Sequence, residues 1–153
     1  MFGKKTAVVY FSRSGVTKGL VEKFPLEEGD RKIEITPAEP YPKSYFKTLA
    51  RAKVEIEGGV DVELEHPKQD LGTYEQILIG FPIWFWTCPK VITAFIKEND
   101  FQGKTVYPFC TSGGIDITEA VDEIKRNAEG ADVKRGKRFR KYSEDALREM
   151  LEQ

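Results

Sequence analysis

The sequence predicts a doubly wound α/β fold, one parallel sheet with helices on both faces, and three observations predict it. Strand-like and helix-like segments alternate five times without internal repeats or linkers. The clearest strand-like runs are almost continuously apolar, as strands buried on both faces are. The chain has 153 residues, enough for one domain with a sizeable core and too few for the eight units of a barrel. Right-handed crossovers between such units place one parallel sheet between two helical layers.

Lys5-Thr-Ala-Val-Val-Tyr-Phe-Ser12 is the first run, and its β-branched and aromatic content predicts a central strand. Past a glycine-bearing turn, Val16, Leu20, Val21 and Phe24 recur at helical spacing until Pro25 and Gly29 break the pattern. Arg31 to Thr36 reads as a second strand. The prolines of Pro37-Ala-Glu-Pro-Tyr-Pro42 then propagate neither ladder, and Tyr41-Pro42 sets the approach to the next helix. That helix carries Tyr45, Leu49, Ala52 and Ile56 as its stripe and ends at Gly58-Gly59. Val60, Val62 and Leu64 alternate with three acids, which fits a solvated edge strand and an ordered loop equally well.

Gln76 to Phe81 is the next clear strand, followed past Pro89 by Val91, Ile92, Phe95 and Ile96 on one helical face. Lys104 to Cys110 makes a fourth strand. Ile117, Ala120, Val121, Ile124 and Ala128 form a helical stripe opened by Asp116 and Glu119 at capping-box spacing. Val133 to Phe139 is a weaker strand, and Ser143, with Glu144 and Asp145 behind it, caps a last helix carrying Ala146, Leu147, Met150 and Leu151.

Composition narrows the function. With 24 Lys and Arg against 25 Asp and Glu, no net field draws the chain to nucleic acid or to an anionic membrane. The apolar stretch Ile77 to Trp86 is interrupted by Gly80 and Pro82 and is far shorter than the roughly 20 residues that span a bilayer. The N-terminus lacks a signal-peptide core, so the expectation is a cytoplasmic protein. Cys88 and Cys110 lack CxxC spacing, and His66 is the only histidine. A disulfide framework, a zinc site and a His-based triad therefore find no support.

In a doubly wound sheet, ligands bind at the carboxyl ends of the strands, where strand order reverses. Three loops there suit a ligand. Ser12-Arg-Ser-Gly-Val-Thr17 offers hydroxyls, amides and one glycine to a phosphate, or it is a plain turn whose hydroxyls cap a helix. It is neither a P-loop nor a dinucleotide fingerprint. Pro82-Ile-Trp-Phe-Trp-Thr-Cys-Pro89 places Trp84, Phe85 and Trp86 where they could stack on a flat ligand, the alternative being core or dimer-contact aromatics. Cys110-Thr-Ser-Gly-Gly114 lets a ligand edge approach backbone donors and acceptors.

Together these segments resemble the flavodoxin family, and in particular its short single-domain members. The resemblance covers nearly the whole chain and rests on Val8-Val-Tyr-Phe-Ser-Arg-Ser-Gly-Val-Thr17, Ile79-Gly-Phe-Pro-Ile-Trp84, Phe101-Gln-Gly-Lys-Thr-Val106 and Pro108-Phe-Cys-Thr-Ser-Gly-Gly114. It implies a flavodoxin-like three-layer sandwich with a five-stranded parallel sheet in the order 2-1-3-4-5. It also implies a noncovalent flavin mononucleotide (FMN). Carried over by position, Ser12, Ser14, Val16 and Thr17 would hold the phosphate, with Arg13 and Gly15 shaping the turn. Pro82, Ile83, Trp84, Phe85 and Trp86 would flank the ribityl chain and one side of the ring. Thr111, Ser112, Gly113 and Gly114 would flank the other.

A flavin carries its own electron chemistry, which accounts for the lack of a catalytic histidine. The resemblance implies a small oxidoreductase, passing electrons from a reduced nicotinamide to a quinone-like or other acceptor, or a protein-to-protein electron carrier. A flavin-free binding scaffold is a further alternative. The implied partners are a redox protein or a small-molecule donor and acceptor, without nucleic acid or membrane; a homodimer stays open. Two departures favour the oxidoreductase. Family members commonly have a glycine after the Trp84 position, whose peptide can turn toward the reduced flavin, whereas Phe85-Trp86 should resist a left-handed backbone. Dedicated carriers are strongly acidic, whereas the three loops here contain only one charged side chain, Arg13. The basic run from Lys134 to Lys141 reads as a solvated strand edge or as a docking patch for an acidic partner.

Overall fold

The unbroken apolar runs become the middle of one sheet. The computed structural model describes residues 1–153. In chain order its elements are β1 (Thr6–Tyr10), α1 (Val16–Val21), β2 (Arg31–Glu34), α2 (Tyr45–Glu57), β3 (Gln76–Pro82), α3 (Lys90–Glu98) and β4 (Thr105–Thr111). They continue with α4 (Thr118–Asn127), β5 (Asp132–Val133), β6 (Lys137–Phe139) and α5 (Glu144–Leu151). The strands run β2-β1-β3-β4-β5, and every pairing is parallel. This is the predicted order and the flavodoxin-like doubly wound architecture. No helix is long and apolar enough to cross a membrane.

Period-two alternation within the central strands builds two cores. Ala7, Val9, Ile77, Ile79, Phe81 and Val106 face one side and pack with Val91, Ile92, Phe95, Ile96, Val121 and Ile124 of α3 and α4. Val8, Tyr10, Leu78, Tyr107 and Phe109 face the other and pack with Leu20 and Val21 of α1 and Leu147 and Met150 of α5. Gly80 falls on this second face of β3 and leaves room for the Phe109 ring.

The fifth strand is not continuous. Asp132 and Val133 pair with Thr105 and Val106, and Lys137 to Phe139 pair with Phe109 to Thr111, so one edge of β4 carries two short strands. Between them Gly136 takes a positive φ of +72° and passes so close to Pro108 that a Cβ there would lie 2.1 Å from the Pro108 oxygen. Residues 134–136 thus form a break that only glycine accommodates at its last position.

Three other expectations resolve. Residues 60–65 are an ordered loop beside residues 36–38, joined by Ala38 N–H to Glu63 O, Glu65 N–H to Thr36 O and a single bridge between Pro37 and Leu64. In α2 the buried face is Thr48, Ala52 and Glu55, while Tyr45 is exposed, so the expected stripe is rotated. Its two polar members are paired: Thr48 Oγ1 donates to Pro42 O, and Glu55 accepts from Tyr41 Oη and, one turn back on the same helix, from Arg51. At α4, Asp116 Oδ1 accepts from Thr118 N–H, but the reciprocal bond expected from Glu119 is not formed. The Ser143 cap on α5 is formed, its hydroxyl accepting from Ala146 N–H.

Candidate functional site

Parallel strands end together, so the turns after β1, β3 and β4 and the segments after β2 and β6 meet at one edge of the sheet. There they enclose a cleft of about 450 Å³. It lies beside β1, β3 and β4, at the point where strand order reverses.

The turn after β1 forms one end. Gly15 has φ of +96°, and its N–H donates to Ser12 Oγ, which closes the turn. The backbone N–H groups of Ser14, Val16 and Thr17 have no acceptor within the protein. Ser12, Ser14, Val16 and Thr17 line the cleft, and the Thr17 hydroxyl meets that of Thr111 at 2.8 Å, tying the turn to the end of β4. Converging free amides and hydroxyls of this kind suit an anion such as a phosphate. Arg13 also lines the cleft. Its Nε donates to Thr48 Oγ1 at 3.1 Å and its Nη2 to Lys43 O at 2.6 Å, so the fork anchors the turn to the start of α2.

Pro82, Ile83 and Trp84 form one wall. Trp84 is buried and stands edge-on to Phe11 and Tyr41, with ring centroids 5.5 and 5.0 Å away. Arg51 stacks on the Tyr41 ring at 4.0 Å. Burial and the adjacent Glu55 carboxylate push the Tyr41 phenol well above its usual value, so it stays protonated as a donor. This second row of side chains fixes the Trp84 wall. Phe85 leaves the cleft and packs on the core, and Trp86 is 60% exposed outside it. Of the three aromatics expected at the cleft, Trp84 alone lines it.

The expected resistance of Phe85-Trp86 to a left-handed backbone is also overturned. Both residues have positive φ, +50° and +66°. Trp84 and Thr87 exchange reciprocal N–H to O bonds of 3.0 and 3.1 Å around them, in the pattern of a type I′ turn. These bonds and the anchored Trp84 override a local preference of about 1–2 kcal/mol per residue.

Thr111, Ser112 and Gly113 form the facing wall, with Gly114 just outside it. Ser112 Oγ accepts from Gly114 and Ile115 N–H and so shapes its own loop. The loop is held from the strand edge: Arg138 Nη1 donates to Ser112 O at 3.0 Å and Arg140 Nη2 to Gly113 O at 3.1 Å. Elsewhere in the basic run Lys134 pairs with Asp132 and Lys137 with Glu149. The run is thus partly a solvated edge and partly a clamp on the glycine loop.

Eleven of the fifteen residues singled out from the sequence line the cleft, and Gly15, Phe85, Trp86 and Gly114 do not. Tyr45, Thr48, Phe139 and Arg140 line it unforeseen. A sequence signal existed for them: the segments after β2 and β6 must end at the same sheet edge as the three loops considered. Arg13 and Arg140 are the charged side chains of the lining, which holds no carboxylate.

Other reactive candidates stand apart. His66 is exposed in a loop, and Asp116 lies outside the cleft as a turn acceptor. Cys88 and Cys110 are buried free thiols, each pushed up to about 12 by burial, so neither offers a thiolate at neutral pH.

Among solved structures, a protein from Bacteroides eggerthii provisionally classed as a flavoprotein is 32% identical, covers 98% of this chain and 97% of its own, and superposes with a TM-score of 0.87. A second, from Bacteroides uniformis and classed in the same way, is 32% identical over 99% of both chains, with a TM-score of 0.85. A flavoprotein from Lactobacillus acidophilus, solved in complex with FMN, is 29% identical over 89% of this chain and 93% of its own, with a TM-score of 0.72. No curated protein matches the sequence. The sequence pattern of flavodoxins matches residues 5–153, essentially the whole sheet and all five loops around the cleft, and this chain accordingly belongs to the flavodoxin family.

Proposed function

We propose that the protein binds FMN noncovalently in this cleft and acts with it as a small oxidoreductase, passing electrons from a reduced nicotinamide to a quinone-like or other acceptor. The observation that carries the binding is the convergence of unpaired amides at Ser14, Val16 and Thr17 with the Trp84 wall and the Ser112-Gly113 wall in one cleft. Phosphate at the turn and a planar ring between the walls satisfy both ends. The FMN-bound relative from Lactobacillus acidophilus supports the same cofactor.

When bound, the flavin supplies the chemistry of accepting and passing on electrons. The chain's residues would bind and orient it: the turn at Ser12 to Thr17 would hold the phosphate, Ile83 and Trp84 would exclude water from the ring, and Thr111 to Gly113 would line its other side. Oxidoreductase rather than carrier is favoured by charge. The lining contains two arginines and no carboxylate, and a nearby cation favours the reduced anionic ring by about 1.4 kcal/mol for each pK unit of bias. Such a lining would stabilise the negative charge that a bound flavin gains on reduction, which suits two-electron chemistry. The carrier is the second reading, favoured by the exposed Phe46 (82%) and Trp86 (60%), which a redox protein could cover.

The test is steady-state oxidation of reduced nicotinamide by the FMN-loaded protein with a quinone acceptor, alongside a spectroscopic redox titration. Turnover with a single two-electron transition is expected. An FMN-loaded protein with no turnover and two well-separated one-electron transitions would move the assignment to the carrier.

A further inference from the structure

A second cavity of about 300 Å³ adjoins the first, and Val16, Thr111, Phe139 and Arg140 line both. The two meet beside Val16, at the turn where the proposed function places the FMN phosphate. Lys23, Arg140 and Lys141 line this second cavity and no Asp or Glu does. The Lys23 and Lys141 side chains form no ion pair or hydrogen bond, and the Arg140 side chain engages one nitrogen, donating to Gly113 O. The Tyr142 hydroxyl, also at this cavity, has no partner in the protein. Like charges brought together without a counter-charge repel one another, and an anion relieves that repulsion. The amides and hydroxyls of the turn already suit one phosphate, so these three cations match further negative charge beyond it.

We infer that the second cavity is a subsite for a second phosphate linked to the first, so that the protein also takes a flavin dinucleotide, FAD. Its flavin half occupies the main cleft, its second phosphate lies among Lys23, Arg140 and Lys141, and its nucleoside extends along Tyr142. Steric continuity supports the linked form, because the cavities share a wall at the phosphate turn. This rests on the proposed flavin site and adds a ligand class to it.

The test is titration of FMN and FAD into the wild-type protein and the K23A/K141A variant at fixed ionic strength. Both lysines are exposed and lie outside the main cleft, so the variant keeps the FMN site. Two exposed charge contacts are worth about tenfold together. The expected result is a Kd for FAD raised about tenfold in the variant, with that for FMN changed less than twofold. K23E/K141E, folded as judged by an unchanged thermal midpoint, is expected to lose more for FAD and still little for FMN. Equal losses for both flavins, or none for FAD, would overturn the inference while leaving the FMN site standing. Wild-type protein that binds FMN and excludes FAD would overturn it in the same way. Failure of the wild type to bind FMN would remove the proposed function and this subsite with it.

Discussion

Gly80→Ala is expected to destabilise the fold by about 3 kcal/mol, at the upper end of what overpacking a core does. A Cβ on Gly80 would lie 2.1, 2.4 and 2.8 Å from three atoms of the Phe109 ring. That ring cannot swing away freely: it is fully buried, with Phe24 and Phe139 at centroid distances of 5.2 and 6.2 Å. Strand β3 cannot shift either, since it is paired on both sides, with β1 and β4. Thermal denaturation should show a midpoint lower by roughly 6–12 °C, given the 2–4 °C per kcal/mol usual for a chain of this size. The double variant Gly80→Ala with Phe109→Leu should recover part of the loss, because the smaller side chain vacates the space. Gly113→Ala, with nothing within 4 Å of the added Cβ, should leave stability nearly unchanged. A Gly80→Ala protein as stable as the wild type would contradict the packing described for the second core.

The largest expected effect on binding is that of Ser14→Ala with Thr17→Ala, which should weaken FMN by about 100-fold and riboflavin by less than threefold. Hydrogen bonds to a charged group contribute about 1.5–3 kcal/mol each, and two at the lower end make two decades. Ser14 presents its hydroxyl in the turn. Thr17 is 1% exposed, and its hydroxyl bonds to that of Thr111, so its loss also loosens the tie between turn and β4. Riboflavin lacks the phosphate and so registers only that indirect part. Thr111→Val separates the two contributions, because it breaks the tie while leaving both turn hydroxyls in place. Equal losses for FMN and riboflavin in the double variant would put the phosphate elsewhere.

Most of the sheet was legible because burial on both faces writes itself into a strand as an unbroken apolar run, as in Ala7 to Phe11 and Ile77 to Phe81. What was not legible depends on residues far apart in sequence. Tyr45 looked like a core position by spacing, yet the buried face of α2 is set by Thr48 and Glu55, whose partners Arg13, Pro42 and Tyr41 lie outside the helix. The break at 134–136 follows from the close pass of Gly136 over Pro108, which no local pattern announces. The left-handed turn at Phe85-Trp86 defied residue preference because Trp84 and Thr87 close it with two hydrogen bonds.

The cleft divides along the same line. Its turn after β1 and its two walls were visible as hydroxyl, proline-aromatic and glycine segments at strand ends. Arg140 stands in a run of basic residues that reads as strand edge, and the pairing of Phe139 with Thr111, together with its own bond to Gly113 O, 27 residues away, brings it to the site. With it comes a change in electrostatics, from one arginine at the loops to two around the cleft.

The central claim is that FMN binds in this cleft at the carboxyl edge of the sheet, and mapping amide resonances by two-dimensional NMR as FMN is added tests it most directly. The account predicts saturable shifts at one equivalent, concentrated at Ser14 to Thr17, at Ile83 and Trp84, at Thr111 to Gly113 and at Arg140. Residues 96–102 and 127–130, at the opposite edge of the sheet, should stay in place. Absence of any saturable shift, or shifts centred on that opposite edge, would contradict it.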